Sequence, residues 1–211
     1  MMKTLILTNG EYGDYSFCET LSVYDYIICA DNGMKHARYL GIEPDYIVGD
    51  FDSTDPKDLA YFKMKNVPVH TLPAMKDETD TEIALDKAIE AGADVIDIYG
   101  GVGSRLDHTL ANVHLLYKAL KQGVRVRLLN ACNTVWLVDK WTEITGQAGD
   151  IVSLLPFSEL VTGISTTDLG YPLKNASFTA GKPYGVSNYM VADKASISVE
   201  SGVLVVIKAK D

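Results

Sequence analysis

Short runs of apolar and β-branched residues alternate with amphipathic stretches over the first 130 positions of the chain. The apolar runs are TLILTNG, YDYIICADNG, DYIVGDFDS, VPVHTL, DVIDIYGG and VRVRLLN, and each predicts a strand. One amphipathic stretch is TEIALDKAIEAG, in which Ile83, Leu85, Ala88 and Ile89 form a helical stripe that ends at Gly92. Strands and helices in alternation predict right-handed crossovers and a mostly parallel sheet with flanking helices.

The pattern changes after about Ala131. Helical periods become rare, and short strands such as IVSLLP, KASISVES and VLVVIKAK are separated by Gly, Pro, Ser and Asn. These turns recur too closely to leave room for crossover helices, so the strands are expected to be antiparallel. We therefore predict an α/β domain over residues 1–130 and an all-β sandwich domain over residues 131–211.

Four predicted strands of the first domain end in residues that are capable of chemistry. In open α/β sheets, ligands bind at the carboxyl ends of the strands. The sequence therefore places its candidate site at this edge of the sheet. The strand ends are Asn9-Gly10, Asp31-Asn32-Gly33, Gly49-Asp50-Phe51-Asp52 and Gly100-Gly101-Val102-Gly103.

Asp50 and Asp52 stand two positions apart at the end of one predicted strand. Carboxylates with this spacing on an extended chain point the same way and repel each other unless a cation lies between them. A divalent metal ion would remove that repulsion. The alternative is a solvated acidic loop that starts a helix at Thr54 or Asp55, and the stretch by itself leaves both interpretations open.

Another acidic stretch, KDETDTEIAL, leads into a predicted helix. Capping by Thr79 with Glu82, or by Asp77 with Asp80, is the ordinary explanation for such a pattern. Capping needs only one of these acids, which leaves Asp80 as a spare carboxylate near the strand-end aspartates. Several carboxylates at one sheet edge offer the hard oxygen ligands that Mg²⁺ prefers.

The turn GGVGSR precedes a predicted helix that contains RLDHTLANVHLL. It is neither a Walker A motif nor a complete dinucleotide fingerprint, and it could simply be a turn that allows close packing. Its backbone amides, with Arg105 at the helix start, could instead receive a phosphate. The helical period predicts that Leu106, Leu110 and Val113 pack inward.

Composition limits the partners of the chain. It has 211 residues, of which 47% are hydrophobic, and a formal net charge of −9. An acidic chain with no basic stripe argues against nucleic acid as a partner. No apolar run approaches the roughly eighteen residues of a membrane span, and the first residues become polar too early for a signal peptide. We expect a cytoplasmic protein with no membrane partner.

Taken in order, six segments resemble one family, the thiamine pyrophosphokinases (thiamine diphosphokinases). They are ADNG, GIEPDYIVGDFDS, KDETDTEIAL, GGVGSRLDHTLAN, TTDLGYPLKN and GVSN, and they extend from near the N-terminus to late in the chain. The resemblance implies transfer of the pyrophosphoryl group of ATP to the hydroxyl of thiamine, with AMP as the second product. It also implies an ATP- and Mg²⁺-binding α/β domain, a thiamine-binding sandwich, and a homodimer with shared active sites.

The resemblance also assigns site residues. It implies catalytic roles for Asp50, Asp52, Asp80 and Arg105, and Mg²⁺ ligation by the three carboxylates among them. It implies nucleotide or thiamine binding by a further set: Asp31, Asn32, Gly33, Gly101, Asp107, Tyr171, Ser187 and Asn188. Which carboxylate accepts the hydroxyl proton stays open, as does the alternative that Mg²⁺ acidifies the hydroxyl and no dedicated base is needed.

Three departures from the family pattern concern the binding pockets. Family members often carry a second glycine in the stretch Asp31-Asn32-Gly33, Ser104 replaces a common glycine, and Tyr171 stands where the family can have tryptophan. Tyr171 could alternatively be a core residue of the sandwich. Two other function classes use similar residues, a metal-dependent phosphohydrolase and a non-catalytic nucleotide sensor. Neither accounts for all the features, because a hydrolase does not need the second domain and a sensor does not need so many carboxylates.

Overall fold

The computed structural model describes residues 1–18, 21–52 and 54–210. The chain divides into two compact units, Met1–Ala131 and Cys132–Asp211. Within the described residues, every helix is too short or too polar to cross a membrane.

The first unit contains six parallel strands in the order β6-β5-β1-β2-β3-β4. The strands are β1 (Lys3–Leu7), β2 (Tyr26–Ala30), β3 (Tyr46–Gly49), β4 (Val69–Thr71), β5 (Val95–Tyr99) and β6 (Arg125–Leu129). The helices are α1 (Gly33–Leu40), α2 (Pro56–Met64), α3 (Asp80–Glu90) and α4 (Leu106–Lys121), with a 3-10 turn at Leu21–Val23. The predicted mostly parallel sheet with flanking helices is confirmed.

The central strands of this sheet are buried along nearly their whole length. Four of the five residues in each of β1, β2 and β5 are buried, and each run starts from one half-buried residue. Such near-continuous burial is expected where helices cover both faces of a parallel sheet. The strand ends are therefore held by a rigid core that includes Leu5, Ile28, Ile47 and Ile98.

The starts of α2 and α3 follow the capping chemistry predicted from the sequence. Asp55 caps α2 by accepting a 2.9 Å hydrogen bond from the Lys57 amide. Thr79 caps α3 by accepting a 3.1 Å hydrogen bond from the Glu82 amide. Because Thr79 supplies the cap, the Asp80 carboxylate is free of that role, as the sequence indicated.

The start of α4 differs from the sequence prediction. Leu106 and Leu110, expected to pack inward, are exposed, and Val113 is half-buried. The buried positions of this helix are instead Asn112, Leu116 and Ala119. Both sets of residues recur at helical spacing, so the period alone did not identify which stripe faces the sheet.

The second unit is built from eight strands in two antiparallel sets. One set has the order β12-β9-β14-β7 and the other β11-β10-β13-β8. The strands are β7 (Asn133–Val138), β8 (Trp141–Thr145), β9 (Ile151–Pro156), β10 (Leu160–Thr167), β11 (Ala176–Thr179), β12 (Gly185–Tyr189), β13 (Lys194–Ser198) and β14 (Leu204–Ala209). Both sets contribute to one buried core, which contains Leu154 and Val206 from one and Ile164 and Ile197 from the other. The predicted all-β sandwich is confirmed.

Candidate active site

Three carboxylates from separate segments of the first unit lie close together. Asp31 follows β2, Asp50 follows β3, and Asp80 is the first residue of α3. One oxygen from each lies within 4.8 Å of the others, and all three residues are half-buried. The sequence predicted that Asp31, Asp50, Asp52 and Asp80 converge at this edge, and the structure groups three of these four carboxylates.

Unusual backbone conformations shape the ends of β2 and β3. Asp31 and Phe51 have φ angles of +48° and +61°, in the left-handed region that residues other than glycine rarely adopt. The Asp31 amide donates a 2.7 Å hydrogen bond to the Val48 carbonyl, and a Cβ on Gly49 would lie 2.8 Å from the Asp31 Cα. Such conformations cost free energy and persist where surrounding contacts enforce them. They bring the Asp31 and Asp50 side chains to the same edge.

Thr54, which the sequence suggested only as a possible helix start, orients one of the carboxylates. The Thr54 hydroxyl donates a 3.1 Å hydrogen bond to Asp31 Oδ1. Thr54 and Asp31 are 23 positions apart in the chain, so no local motif indicates this contact.

Asp52 stands apart from the three clustered carboxylates. Its side chain is exposed, while its backbone amide donates a 3.1 Å hydrogen bond to Asp50 Oδ1. The loop thus uses the Asp52 backbone to orient the Asp50 carboxylate. The metal-binding role of the Asp52 carboxylate stays a prediction.

Lys76 is a residue of this site that sequence reasoning missed. Its ammonium lies 2.9 Å from Asp80 Oδ1, without the alignment of a hydrogen bond, and 3.7 Å from Asp50 Oδ2. Burial raises the pKa of the Asp80 carboxyl, and the Lys76 ammonium offsets part of that increase. Burial disfavours the charged form of Lys76, but the nearby carboxylates outweigh it and raise its pKa. The site therefore combines the carboxylates of Asp31, Asp50 and Asp80 with the positively charged ammonium of Lys76.

The turns after β1 and β5 pack tightly against each other. A Cβ on Gly10 would lie 1.8 Å from the Gly100 carbonyl oxygen, so this contact requires glycine. The Asn112 side-chain amide donates a 2.8 Å hydrogen bond to the Gly101 carbonyl, and the Gly103 amide donates to the Thr109 hydroxyl at 3.2 Å. The predicted phosphate turn is therefore held in one shape by α4.

Arg105 is paired with Asp107 at the start of α4. The guanidinium donates to both carboxylate oxygens, one of them at 3.0 Å, and both side chains are exposed. Hydrogen bonding to Arg105 holds the pKa of the Asp107 carboxyl well below its usual range. The pair fixes the direction of the guanidinium and keeps it accessible to an anion.

Asn32 and Gly33 connect Asp31 to α1. Asn32 stands at the position before the helix, and its side chain makes no capping hydrogen bond there. Gly33 packs on β1 so closely that a Cβ would lie 2.0 Å from the Leu7 carbonyl oxygen. The structure thus gives Gly33 a packing role, while substrate contacts by either residue stay predictions.

In the second unit, Tyr171 is held at the surface by Asn188. The Asn188 side chain accepts a 2.9 Å hydrogen bond from the Tyr171 amide and donates one of 2.9 Å to the Tyr171 carbonyl. The Asn188 oxygen also accepts from the Tyr189 amide at 2.9 Å. Asn188 is buried, whereas Tyr171 is 66% exposed, so Tyr171 is not the core residue of the alternative interpretation.

Tyr189 completes an aromatic corner with Tyr171. The two ring centroids are 5.8 Å apart and the rings are nearly perpendicular, in the edge-to-face arrangement that aromatic pairs favour. A Cβ on Gly170 would meet the Tyr189 ring at 2.2 Å, which fixes this ring over the turn. Ser187 is exposed at a register shift of β12, and its amide donates to the Ser153 hydroxyl at 3.1 Å.

Comparison with known proteins bears on this geometry. The chain matches two family models, the catalytic domain of thiamin pyrophosphokinase over residues 17–128 and its vitamin B1 binding domain over residues 142–204. The curated thiamine pyrophosphokinase of Bacillus subtilis (strain 168) is 32% identical over 186 residues, which make up 87% of each chain. This chain belongs to the thiamine pyrophosphokinase family. The family predicted from the sequence motifs is confirmed.

Crystal structures of other thiamine pyrophosphokinases share the whole fold. The Bacillus subtilis structure gives a TM-score of 0.89 at 28% identity and covers 99% of both chains. The Geobacillus thermodenitrificans structure gives a TM-score of 0.86 at 29% identity and covers 100% of this chain and 98% of that one. The similarity therefore extends over both units of this thiamine pyrophosphokinase family member.

Replacing Asn188 with alanine is expected to lower the free energy of unfolding by about 1 to 3 kcal/mol, because it leaves partly buried backbone groups of Tyr171 and Tyr189 without these partners. Tyr171→Ala is the matched comparison, and it should cost less than about 1 kcal/mol since this ring is mostly exposed. Urea denaturation of the three proteins measures both values. Equal losses would contradict the positioning role of Asn188.

Proposed function

We propose that this chain transfers the pyrophosphoryl group of ATP to the hydroxyl of thiamine, giving thiamine diphosphate and AMP. The observation that carries the proposal is the convergence of Asp31, Asp50 and Asp80 at the carboxyl edge of the first unit. Membership of the thiamine pyrophosphokinase family identifies the reaction. In this proposal the first unit binds ATP and metal, and the second unit binds thiamine.

The donor set of the carboxylate group suits Mg²⁺. It offers oxygen atoms from three aspartates and no nitrogen or sulfur ligand among the described residues that form it, and Mg²⁺ prefers such hard ligands. Asp31, Asp50 and Asp80 would hold the ion, with Asp52 as a further candidate at the same loop. When bound, Mg²⁺ supplies positive charge that offsets the charge of the phosphate oxygens.

The residues around this group mainly position and neutralise the reactants. Attack of an alcohol on the β-phosphorus, with AMP as the leaving group, depends on alignment and charge compensation more than on covalent help from the protein. The exposed Arg105 guanidinium, oriented by Asp107, adds positive charge for the phosphates. A carboxylate of the aspartate group accepts the proton of the thiamine hydroxyl.

The aromatic corner of the second unit suits thiamine. Thiamine is a cation with aromatic rings, and a tyrosine face attracts such a ligand through its negative quadrupole. The Tyr171 ring is exposed, and Asn188 and Tyr189 restrict its position. In this proposal Tyr171 contacts thiamine, Ser187 supplies a polar contact, and Asn188 acts by positioning Tyr171.

One assay tests the reaction against the two alternative classes. The protein is incubated with ATP, Mg²⁺ and thiamine, and the products are identified by mass. Thiamine diphosphate and AMP in equal amounts are expected. Release of inorganic phosphate without thiamine diphosphate would indicate a phosphohydrolase, and an absence of turnover would indicate a nucleotide sensor.

Asp50→Asn is expected to reduce kcat by more than about 100-fold, because it removes an oxygen ligand from the metal that offsets phosphate charge. We expect the same of Asp52→Asn, although its carboxylate lies outside the clustered group. Asp55→Asn is the matched control, since it makes the same charge change nearby and asparagine still caps α2. An Asp52→Asn enzyme with near wild-type kcat would remove Asp52 from the metal site.

Tyr171→Ala is expected to raise the KM for thiamine by about 2- to 30-fold, the range of a cation–aromatic contact of roughly 0.5 to 2 kcal/mol. The KM for ATP should stay nearly unchanged, and Tyr171→Trp should restore or tighten thiamine binding. Tyr39→Ala removes a similarly exposed tyrosine from the first unit and serves as the control. Steady-state kinetics with each substrate varied provide the measurement. Equal increases in both KM values would place the thiamine pocket elsewhere.

We also propose that two copies assemble into a homodimer with shared active sites. Each unit exposes apolar side chains that a partner could cover, among them Leu106, Leu110, Tyr184, Val186 and Val191. We further propose a cytoplasmic location, where ATP is held and where the thiols of Cys18, Cys29 and Cys132, which form no disulfide, stay reduced.

Light scattering at micromolar concentration is expected to give twice the chain mass of 23.1 kDa. Leu110→Glu should shift this mass toward one chain, because the substitution would bury a charge at the interface. A wild-type mass of one chain would overturn the dimer.

A further inference from the structure

Lys76 places a positive charge inside a group of negative ones. Its backbone lies in the loop between β4 and α3, where the neighbouring Met75 is 95% exposed. Its side chain, however, is only 12% exposed and ends 2.9 Å from an Asp80 oxygen and 3.7 Å from an Asp50 oxygen. A lysine can extend into solvent from such a loop, so its inward direction here calls for a physical explanation.

The ammonium affects two kinds of ligand in opposite ways. A free divalent cation is attracted by the carboxylates and repelled by Lys76. A metal–polyphosphate complex brings several negative oxygens, which the carboxylates repel and Lys76 attracts. The distances are short and the site is partly buried, so both effects are larger than they would be in bulk water.

We propose that Lys76 makes the carboxylate site select a metal–polyphosphate complex over a free divalent cation. The inference rests on the proposed function, since it takes Asp31, Asp50 and Asp80 as the metal ligands. Without a nucleotide, the ammonium balances part of the carboxylate charge and disfavours a bare ion. When a nucleotide arrives, the same ammonium contacts its phosphate oxygens.

The chemistry of lysine fits this double role. Its ammonium is a compact charge on a flexible four-carbon stem, with three donors that can exchange a carboxylate partner for a phosphate oxygen. Arg105 is less suited, because its planar guanidinium already donates to both oxygens of Asp107. Lys76 is also the cation that the structure places in direct contact with Asp50 and Asp80.

Two affinities measured on the intact protein test the proposal. The first is the affinity for Mn²⁺ alone, which is a paramagnetic substitute for Mg²⁺. It is obtained from the electron paramagnetic resonance signal of the free ion. The second is the affinity for Mg²⁺ with α,β-methylene-ATP, measured by calorimetry. In this analogue a carbon replaces the bridging oxygen whose bond to the β-phosphorus the reaction breaks. Lys76→Met removes the charge and keeps most of the apolar stem. We expect it to tighten Mn²⁺ binding by at least about 5-fold and to weaken binding of the nucleotide complex by at least about 5-fold.

Two further variants serve as controls for structural effects of the substitution. Lys76→Arg keeps the positive charge and should resemble the wild type in both affinities. Lys208→Met removes another mostly buried lysine, which is paired with Asp150 in the second unit, and should change neither affinity.

The outcomes separate this inference from the proposed function. Opposite changes in the two affinities for Lys76→Met support selection by charge. Changes in the same direction, or changes below about 2-fold, would overturn it and leave Lys76 with a structural role. Mn²⁺ binding that Asp50→Asn leaves unaltered would overturn the metal site itself, and the inference with it.

Discussion

Repulsion among three carboxylates, with oxygens that lie within 4.8 Å of one another, is the constraint on which the site depends. Burial strengthens this repulsion by removing water, and it raises the pKa of Asp80. Hydrogen bonds from Thr54 and from the Asp52 amide orient two of the carboxylates, and the Lys76 ammonium supplies partial charge balance. These contacts keep the three carboxylates close together despite their repulsion. A divalent cation needs such closely spaced oxygen ligands.

The parallel sheet makes that convergence possible. Because all six strands run parallel, their carboxyl ends lie at one edge, and residues far apart in the chain become neighbours. Local strain then fixes the details, since Asp31 and Phe51 hold left-handed conformations at the ends of β2 and β3.

In the second unit, too, hydrogen bonds orient a candidate site residue, here from the neutral side chain of Asn188. Asn188 is buried, and its side-chain amide accepts a hydrogen bond from the backbone N–H of Tyr171 and donates one to the Tyr171 carbonyl. The Tyr171 ring, which we propose contacts thiamine, stays exposed, while the Asn188 side chain that orients it is buried. In both units, therefore, residues predicted to contact substrates are oriented by hydrogen bonds from neighbouring residues, Thr54 for Asp31 and Asn188 for Tyr171.

The sequence by itself determined the two-part fold, the helix caps and most of the carboxylates, because these depend on local periodicity and on residues within one turn. Thr79 caps α3 as its spacing with Glu82 predicted, and this left Asp80 available at the sheet edge. Tertiary structure decided what depends on distant contacts. The period of α4 fits two apolar stripes, and only packing selected the one that leaves Leu106 and Leu110 exposed. Likewise, Lys76 stands only four positions before Asp80, but only the fold brings Asp50 beside its ammonium.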